Sequence, residues 1–425
     1  MKILDLLPDK FLKSGIGKNF IALSFWQVTN YLAPLIVMPY IIRVIGTEKF
    51  GVISLIQAIN YYFIILVDYG FSISAVREIS LYRDNKERLG ILFNRTLFTK
   101  LILCIISFLL LILVVISVPK FEEYKMSYLS GFLLVVGHAL FPIWFFQGIE
   151  KMKFTTYLNV FSKLMYVACI FLFVKTPSHY QIVLPLQGIS LVIVGMAGLF
   201  MIGKRFHIKL KVPGFRTILG EIIKGWPVFI SNISVTFYNS SLYLIVGFSV
   251  SEKLLGMYSI AEKLSQVLRQ VISVFSQAVY PQVCLMASQD HSLVRALWRK
   301  MVLPFAIFLF LVCLAISFFA PYIVMVVAGD ATEITVDLLR ILIWVPFIVF
   351  FNVPFFQTLL AYNFNKEVMR VLLACSFVSV MIGYPLVQNF SIFGASFTLI
   401  ITEILIVMSL ATLLERKSGR SIVVS

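Results

Sequence analysis

Apolar runs of about 20 residues recur from one end of this chain to the other, and a run of that length crosses a bilayer as a helix. No other feature narrows the choice of fold as far. The chain is 60% hydrophobic and 13% charged, with a mean hydropathy of +0.96. Soluble domains carry about a quarter charged residues, so this one has too few to cover a water-facing surface. In lipid the backbone must satisfy its own hydrogen bonds, which leaves helices or a closed barrel. The runs are continuous rather than alternating, so helices are expected. The fold class is therefore an all-α polytopic membrane protein.

Twelve spans are expected, at 19–45, 49–74, 97–118, 127–149, 157–175, 180–203, 225–250, 254–286, 301–328, 334–361, 367–388 and 391–414. Sorting Lys and Arg by loop puts 26 on one side, including Lys2, Arg88, Lys100, Lys211 and Arg416, and 7 on the other, including Arg43, Lys120 and Lys253. That asymmetry places both termini in the cytoplasm. It also accounts for most of the net charge of +16, so no nucleic-acid partner is implied. The outer loops are short and leave no room for a catalytic domain. The inner connections at 75–96 and 204–224 read as basic amphipathic helices lying on the anionic leaflet. Residues 1–18 read as an interfacial lead-in, because no small-residue cleavage site precedes the first long helix.

The chain repeats itself. TEKFGVIS at 47–54 resembles SEKLLGMYS at 251–259, about 204 residues later, and each opens the second span of a half. Phe145-Phe146-Gln147 ends the fourth span, and Phe355-Phe356-Gln357 recurs near the end of the tenth. In register, these matches support two six-helix lobes around a central cavity. The expected domains are an N-lobe at 19–203, a linker at 204–224, a C-lobe at 225–414 and a tail at 415–425.

Polar groups at membrane depth mark candidate sites. In the eighth span Glu262, Gln266, Arg269, Ser273 and Gln277 are spaced by 4, 3, 4 and 4, which makes one stripe on a helix. Lys263 and Gln270 flank it. A charge at the bilayer centre costs at least about 2.5–3.5 kcal/mol to insert and faces a bundle interior or wet cavity. The plainer alternative is a structural Glu262–Arg269 or Glu262–Lys263 arrangement between packed helices. More cations than anions on the stripe favour an anionic substrate.

In VDYGFSISAVREIS, residues 67–80, Asp68 falls at the inner boundary of the second span and Gly70 where its helix can bend. Arg77 lies beyond it in the interface. A gating role for these three stands beside the plainer reading of a helix terminus. Asn30 and Asn239 sit in the first span of each half, with Gln27 and Asn232, and could line the cavity or simply join helices. Lys163 lines the cavity or snorkels to the interface. Glu403 takes a proton during transport or stays neutral and packed.

No phosphate loop, metal motif or nucleophile elbow is present. Cys104, Cys169, Cys284, Cys313 and Cys375 all lie in apolar runs without a C-x-x-C pair, which suits packing.

Three stretches carry a resemblance: YLAPLIVMPYIIRVIGTEKFGVISLIQAINYYFIILVDYGFSISAVREIS, FPIWFFQGIEKMK, and EIIKGWPVFISNISVTFYNSSLYLIVGFSVSEKLLGMYSIAEKL. Over nearly the whole chain they resemble the polysaccharide flippase family (O-antigen and related lipid-linked oligosaccharide translocases) of the multidrug/oligosaccharidyl-lipid/polysaccharide exporter superfamily. The matching positions include Pro39, Arg43, Gly46, Gly51, Asp68, Gly70, Arg77, Trp144, Gln147, Gly225, Pro227, Gly256 and Tyr258.

The resemblance implies alternating access, and movement of an undecaprenyl-diphosphate-linked sugar repeat from the cytoplasmic to the periplasmic leaflet of a bacterial inner membrane. It adds Arg43 to the cavity set and makes the Asp68–Arg77 region a family feature. No cofactor is implied beyond coupling to an H+ or Na+ gradient. The implied partners are the lipid-linked oligosaccharide, membrane lipids, a polysaccharide polymerase and chain-length proteins. Two other classes compete. A membrane polymerase would need a large external loop with catalytic residues. A drug/cation antiporter would favour an acidic cavity.

Overall fold

The structure, a computed structural model, describes the backbone of residues 15–418 except 288 and 290. It describes side chains from 36 to 417 except 231, 232, 234–240, 288, 290 and 291. α1 (15–45) meets α2 (47–68) at Gly46, whose φ of 80° interrupts the helical ladder. α2 stops at Asp68. Tyr69 (φ 48°) and Gly70 (φ 83°) turn the chain into α3 (Phe71–Leu81). α4 (Lys86–Ser117) begins on an Asn85 cap, whose side chain accepts from the Arg88 N–H at 3.0 Å.

The fourth span is built from α5 (Lys125–Gly131), α6 (Leu133–Leu140) and α7 (Ile143–Gly148). Pro142, which has no N–H to donate, parts the last two. α8 (Met152–Phe173) and α9 (Tyr180–Phe206) follow, and α9 ends where His207 adopts a left-handed φ of 56°. Next come α10 (Phe215–Ser249), α11 (Glu252–Ala287), α12 (His291–Phe318) and α13 (Ala320–Ala328). The last are α14 (Glu333–Leu342), α15 (Trp344–Ala361), α16 (365–390) and α17 (392–418), the final two parted at Ser391 with φ 53°. Each of the twelve expected spans has its helix or run of helices here. No strand occurs among the described residues.

The helices are oily on the outside, as lipid demands. On α4, Ile105, Leu109, Leu113 and Ile116 are exposed, while Ser107, Leu111 and Val115 are buried on the other face. In water that outer face would carry charge. The five cysteines are unpaired thiols, three of them buried.

The connections read as inner depart from expectation only in part, since 75–81 belong to the separate helix α3. Residues 86–96 are not a separate surface helix but the first turns of α4, and 215–224 are the first turns of α10. Residues 82–85 and 207–214 are irregular, and the latter stretch is stitched to α4: the Asn94 amide donates to the Lys209 carbonyl at 2.9 Å, and its oxygen accepts from the Lys211 N–H at 3.1 Å. A helix started in the interface continues inward, because propagation adds a hydrogen bond per residue without a new nucleation step.

By contact the chain forms two compact units. The first holds the residues up to Ile45 with Ile56–Ile233; the second holds Gly46–Leu55 with the residues from Ser234 onward. The halves read from the repeat divide the chain by sequence, whereas these units divide it by packing, and the packing boundaries fall inside α2 and α10. In the first unit an aromatic core gathers Phe93, Trp144, Phe145 and Phe146, with Phe93 at 5.6 Å from Trp144 and 5.3 Å from Phe145 between ring centroids. The fragment FPIWFFQ is thus a core element, each ring pair worth about 0.5–1.5 kcal/mol beyond its burial.

In the second unit the repeated motifs meet. A Cβ on Gly51 would lie 2.0 Å from the Glu252 carbonyl oxygen, and one on Gly256 would lie 2.0 Å from the Thr47 oxygen. Each glycine faces the carbonyl four residues before the other, so the start of α2 and the start of α11 cross at backbone contact. The two copies in the sequence are also a pair in space.

Candidate functional site: paired charges at membrane depth

α11 turns one face toward α14 and α15. Ser265 donates to the Leu342 carbonyl at 2.7 Å, and the Gln357 amide donates to the Ser276 hydroxyl at 2.6 Å. That docking fixes the rotation of the helix and so the direction of its polar stripe. Glu262 is buried at 2% exposure. One of its oxygens accepts from the Gln266 amide at 2.8 Å and from the Arg269 guanidinium; the other accepts from the Tyr243 hydroxyl at 2.5 Å. Further along, the Gln277 amide donates to Ser273 at 3.2 Å. The stripe expected from the spacing is therefore bonded in two groups, Glu262 with Gln266 and Arg269, and Ser273 with Gln277.

Its electrostatics are more balanced than the count of cations implied. Glu262 and Arg269 form an ion pair whose side chains are 3% and 21% exposed respectively. The guanidinium is the half that solvent or a ligand reaches. Lys263 is half-buried, with its ammonium 5.7 Å from the Phe50 ring centroid, within cation–π range. Gln270, two turns further along α11, is half-buried too. In the same unit Glu403 on α17 is buried, and its carboxylate accepts from the Asn352 amide on α15 at 3.0 Å.

A second cluster lies in the first unit. Asp68, at the end of α2, pairs with Lys100 of α4 at 3.3 Å, and Lys100 is only 4% exposed against 30% for Asp68. The half-buried His138 ring lies within electrostatic reach of that pair and of the half-buried Lys163 ammonium. Beside Asp68, Gly70 meets α10 closely. A Cβ there would fall 2.4 Å from Val228 Cγ1, and Tyr69 stacks on Phe229 at 4.7 Å. The acid and the glycine thus form a packed hinge, with the acid tied to a buried cation.

Arg77 is exposed on α3 and lines a cavity of about 620 Å³ with Glu78, Arg88, Arg95 and Lys224. Arg43 is exposed near the end of α1. The side chains of Asn30 and Asn239, like those of Gln27 and Asn232, lie outside the described residues.

Lys100, Arg95, Glu221, Tyr243 and Asn352 were not singled out from the sequence. Lys100 and Arg95 were counted as solvated inner charges, yet Lys100 is buried, and Arg95 bridges Glu78 of α3 and Glu221 of α10, the latter at 3.1 Å. Lys100 had left a signal, since it stands inside an apolar run. Tyr243 left none.

Asp68→Asn is expected to destabilise the folded protein by about 3–5 kcal/mol, because it strands the Lys100 charge in the interior. Asp68→Asn with Lys100→Met should regain most of that loss. Thermal unfolding in detergent measures both, and equal midpoints for the single variant and wild type would remove the pair from the stability account.

The arrangement of long lipid-facing helices, two compact units and charge pairs held at depth is that of a two-lobed membrane transporter fold. It is similar to an inward-facing multidrug resistance MATE family transporter of the MOP superfamily, with TM-score 0.69 at 14% identity over 94% of this chain and 98% of that one. It is similar also to the lipid II flippase MurJ in an inward closed conformation, with TM-score 0.67 at 14% identity over 93% and 87%. Both neighbours have twelve helices in two lobes. Residues 16–284 match the polysaccharide biosynthesis protein family, and the chain belongs to that family. It is 28% identical over 395 residues to the Escherichia coli (strain K12) protein named "Putative O-antigen transporter", covering 93% of this chain and 95% of that one. A protein of the same name from Shigella dysenteriae is 24% identical over 394 residues, covering 92% and 98%.

Proposed function

We propose that this protein is a flippase that carries an undecaprenyl-diphosphate-linked polysaccharide repeat from the cytoplasmic to the periplasmic leaflet of a bacterial inner membrane. The observation that carries this reading is the family membership together with relatives, matched over nearly their whole length, that bear the O-antigen transporter name. The physics agrees with it. A lipid diphosphate cannot enter hydrocarbon unaided, because each charge is costly there. Cations held ready at depth replace its water, and a guanidinium matches phosphate oxygens two at a time.

Arg269 supplies that fork. Glu262 keeps it solvated by protein while the site is empty and yields it when a stronger anion arrives. Lys263 adds a point charge one residue along. Glu403, buried and accepting from the Asn352 amide, is the group we assign to coupling with an H+ or Na+ gradient. Asp68 and Gly70 serve the gate. A polymerase and chain-length proteins would take the product. A drug/cation antiporter is the weaker reading, because the relatives over the full chain carry the O-antigen name.

The assay is export itself: deletion of the gene should abolish surface polysaccharide and leave lipid-linked precursor on the inner leaflet, and unchanged surface polymer would end the proposal. Orientation is tested separately. Lys211 and Ser178 are both exposed. Ser178→Cys should react with an impermeant thiol reagent in intact cells, and Lys211→Cys should react only after lysis. Reaction of Lys211→Cys from outside would invert the topology.

A further inference from the structure

The cavity between α3, α4 and the start of α10 is separate from the α11 stripe and holds an excess of positive charge. Arg95 is committed, bound to both Glu78 and Glu221, and Lys224 stands 4.0 Å from the same Glu221. Arg77 and Arg88 have no carboxylate partner among the described residues, and the Arg88 guanidinium lies 4.7 Å over the Tyr82 ring. Two guanidinium forks therefore face about 620 Å³ of open space, a volume within the roughly 300–1,000 Å³ of small-ligand sites. The rim is not polar. Leu81 and Ile91 line the same cavity at 69% and 57% exposure. An anion free in water gains nothing from such a rim, whereas an anion on an acyl or prenyl chain covers it.

From this juxtaposition we propose that the cavity binds the phosphate headgroup of a membrane lipid, with Arg77 and Arg88 as its ligands and the tail lying across Leu81 and Ile91. Arg95 acts as the frame. Its two carboxylates tie α3, α4 and α10 together, so the cavity keeps its shape without a ligand. α3 starts at the Gly70 hinge, so a lipid held here also holds the hinge. The proposal does not depend on the flippase reading, since it concerns equilibrium binding rather than transport.

The test uses the full chain in dodecyl maltoside micelles, which carry no phosphate, into which phosphatidylglycerol, undecaprenyl phosphate or inorganic phosphate is titrated, with bound ligand counted by native mass spectrometry. Wild type should retain a lipid phosphate. Arg77→Gln with Arg88→Gln should weaken retention about tenfold or more, as each charge-assisted bond is worth about a factor of ten. Arg83→Gln is the control, because Arg83 pairs with Glu150 at 2.8 Å away from the cavity lining. A loss seen with phosphatidylglycerol identifies a bulk lipid, and a loss confined to undecaprenyl phosphate identifies the polyprenyl carrier; either supports the site. Unchanged retention of both lipids in the double variant overturns it. So does inorganic phosphate binding as tightly as the lipids, since the apolar rim would then have no part. Should the glutamine variant fail to fold, Arg77→Lys with Arg88→Lys decides: a point charge without the planar fork should lower affinity about threefold, and an unchanged affinity overturns the assignment.

Discussion

Arg269→Ala is expected to abolish surface polysaccharide, with precursor accumulating on the inner leaflet. The side chain has two duties, and the variant removes both. It balances Glu262, whose other bonds come from Tyr243 and Gln266. Taking away one member of a buried pair costs about 3–5 kcal/mol, so the single variant will also lose folded protein. Glu262→Gln with Arg269→Gln separates the duties. It leaves no stranded charge, and its thermal midpoint should lie near that of wild type. Export should still fall about tenfold or more, because the fork that grips a diphosphate is gone. Arg269→Lys should recover part of the activity through its point charge.

Arg88 is not a clean control for this experiment, because it lines the cavity with Arg77. Arg340 is, since it is exposed and paired only locally with Asp337 at 3.2 Å, an arrangement worth about 0–1 kcal/mol. If the double glutamine variant exports like wild type at matched protein levels, Arg269 has no role in holding substrate.

The other large effect is expected at Gly51 and Gly256. At either, the first carbon of a side chain would sit 2.0 Å from a backbone carbonyl oxygen of the facing helix. A side-chain tip can rotate out of such a contact, but a helix carbonyl cannot without moving its helix. Overpacking in cores costs about 1–3 kcal/mol when side chains can yield, and here they cannot. Gly51→Ala and Gly256→Ala should each lower stability by at least that much, and leucine at either position should leave little folded protein. Gly46→Ala is the comparison. Its φ of 80° and ψ of 162° lie where essentially only glycine sits, but nothing lies within 4 Å of the added carbon, so backbone strain of about 1–3 kcal/mol is its whole cost. A fluorescence-detected thermal melt orders the three. Gly51→Ala melting above Gly46→Ala would mean that the α2–α11 crossing is looser than backbone contact.

Much of this protein was determined by the sequence alone. Apolar runs of span length leave the backbone no choice but helices, because lipid offers no hydrogen bonds; hence the helices were legible, although α11 with its polar stripe is not among those apolar enough to cross by composition alone, and so were the breaks at Gly46 and Gly70, where only glycine sits easily at positive φ. The stripe of α11 was legible because helical periodicity is local. Partners were not, because they come from other helices and obey no spacing rule. Nothing near Glu262 in sequence announces Tyr243, and nothing near Asp68 announces Lys100, 32 residues on. The charge count of the stripe misled for a different reason: the Glu262–Arg269 pairing was open from the sequence as the plainer alternative, and only side-chain geometry showed that the two neutralise each other. The repeat showed the opposite limit. Sequence displayed two like motifs, but only tertiary packing could bring Gly51 and Gly256 to each other's backbone, since an approach that close depends on where two helices cross rather than on what either contains.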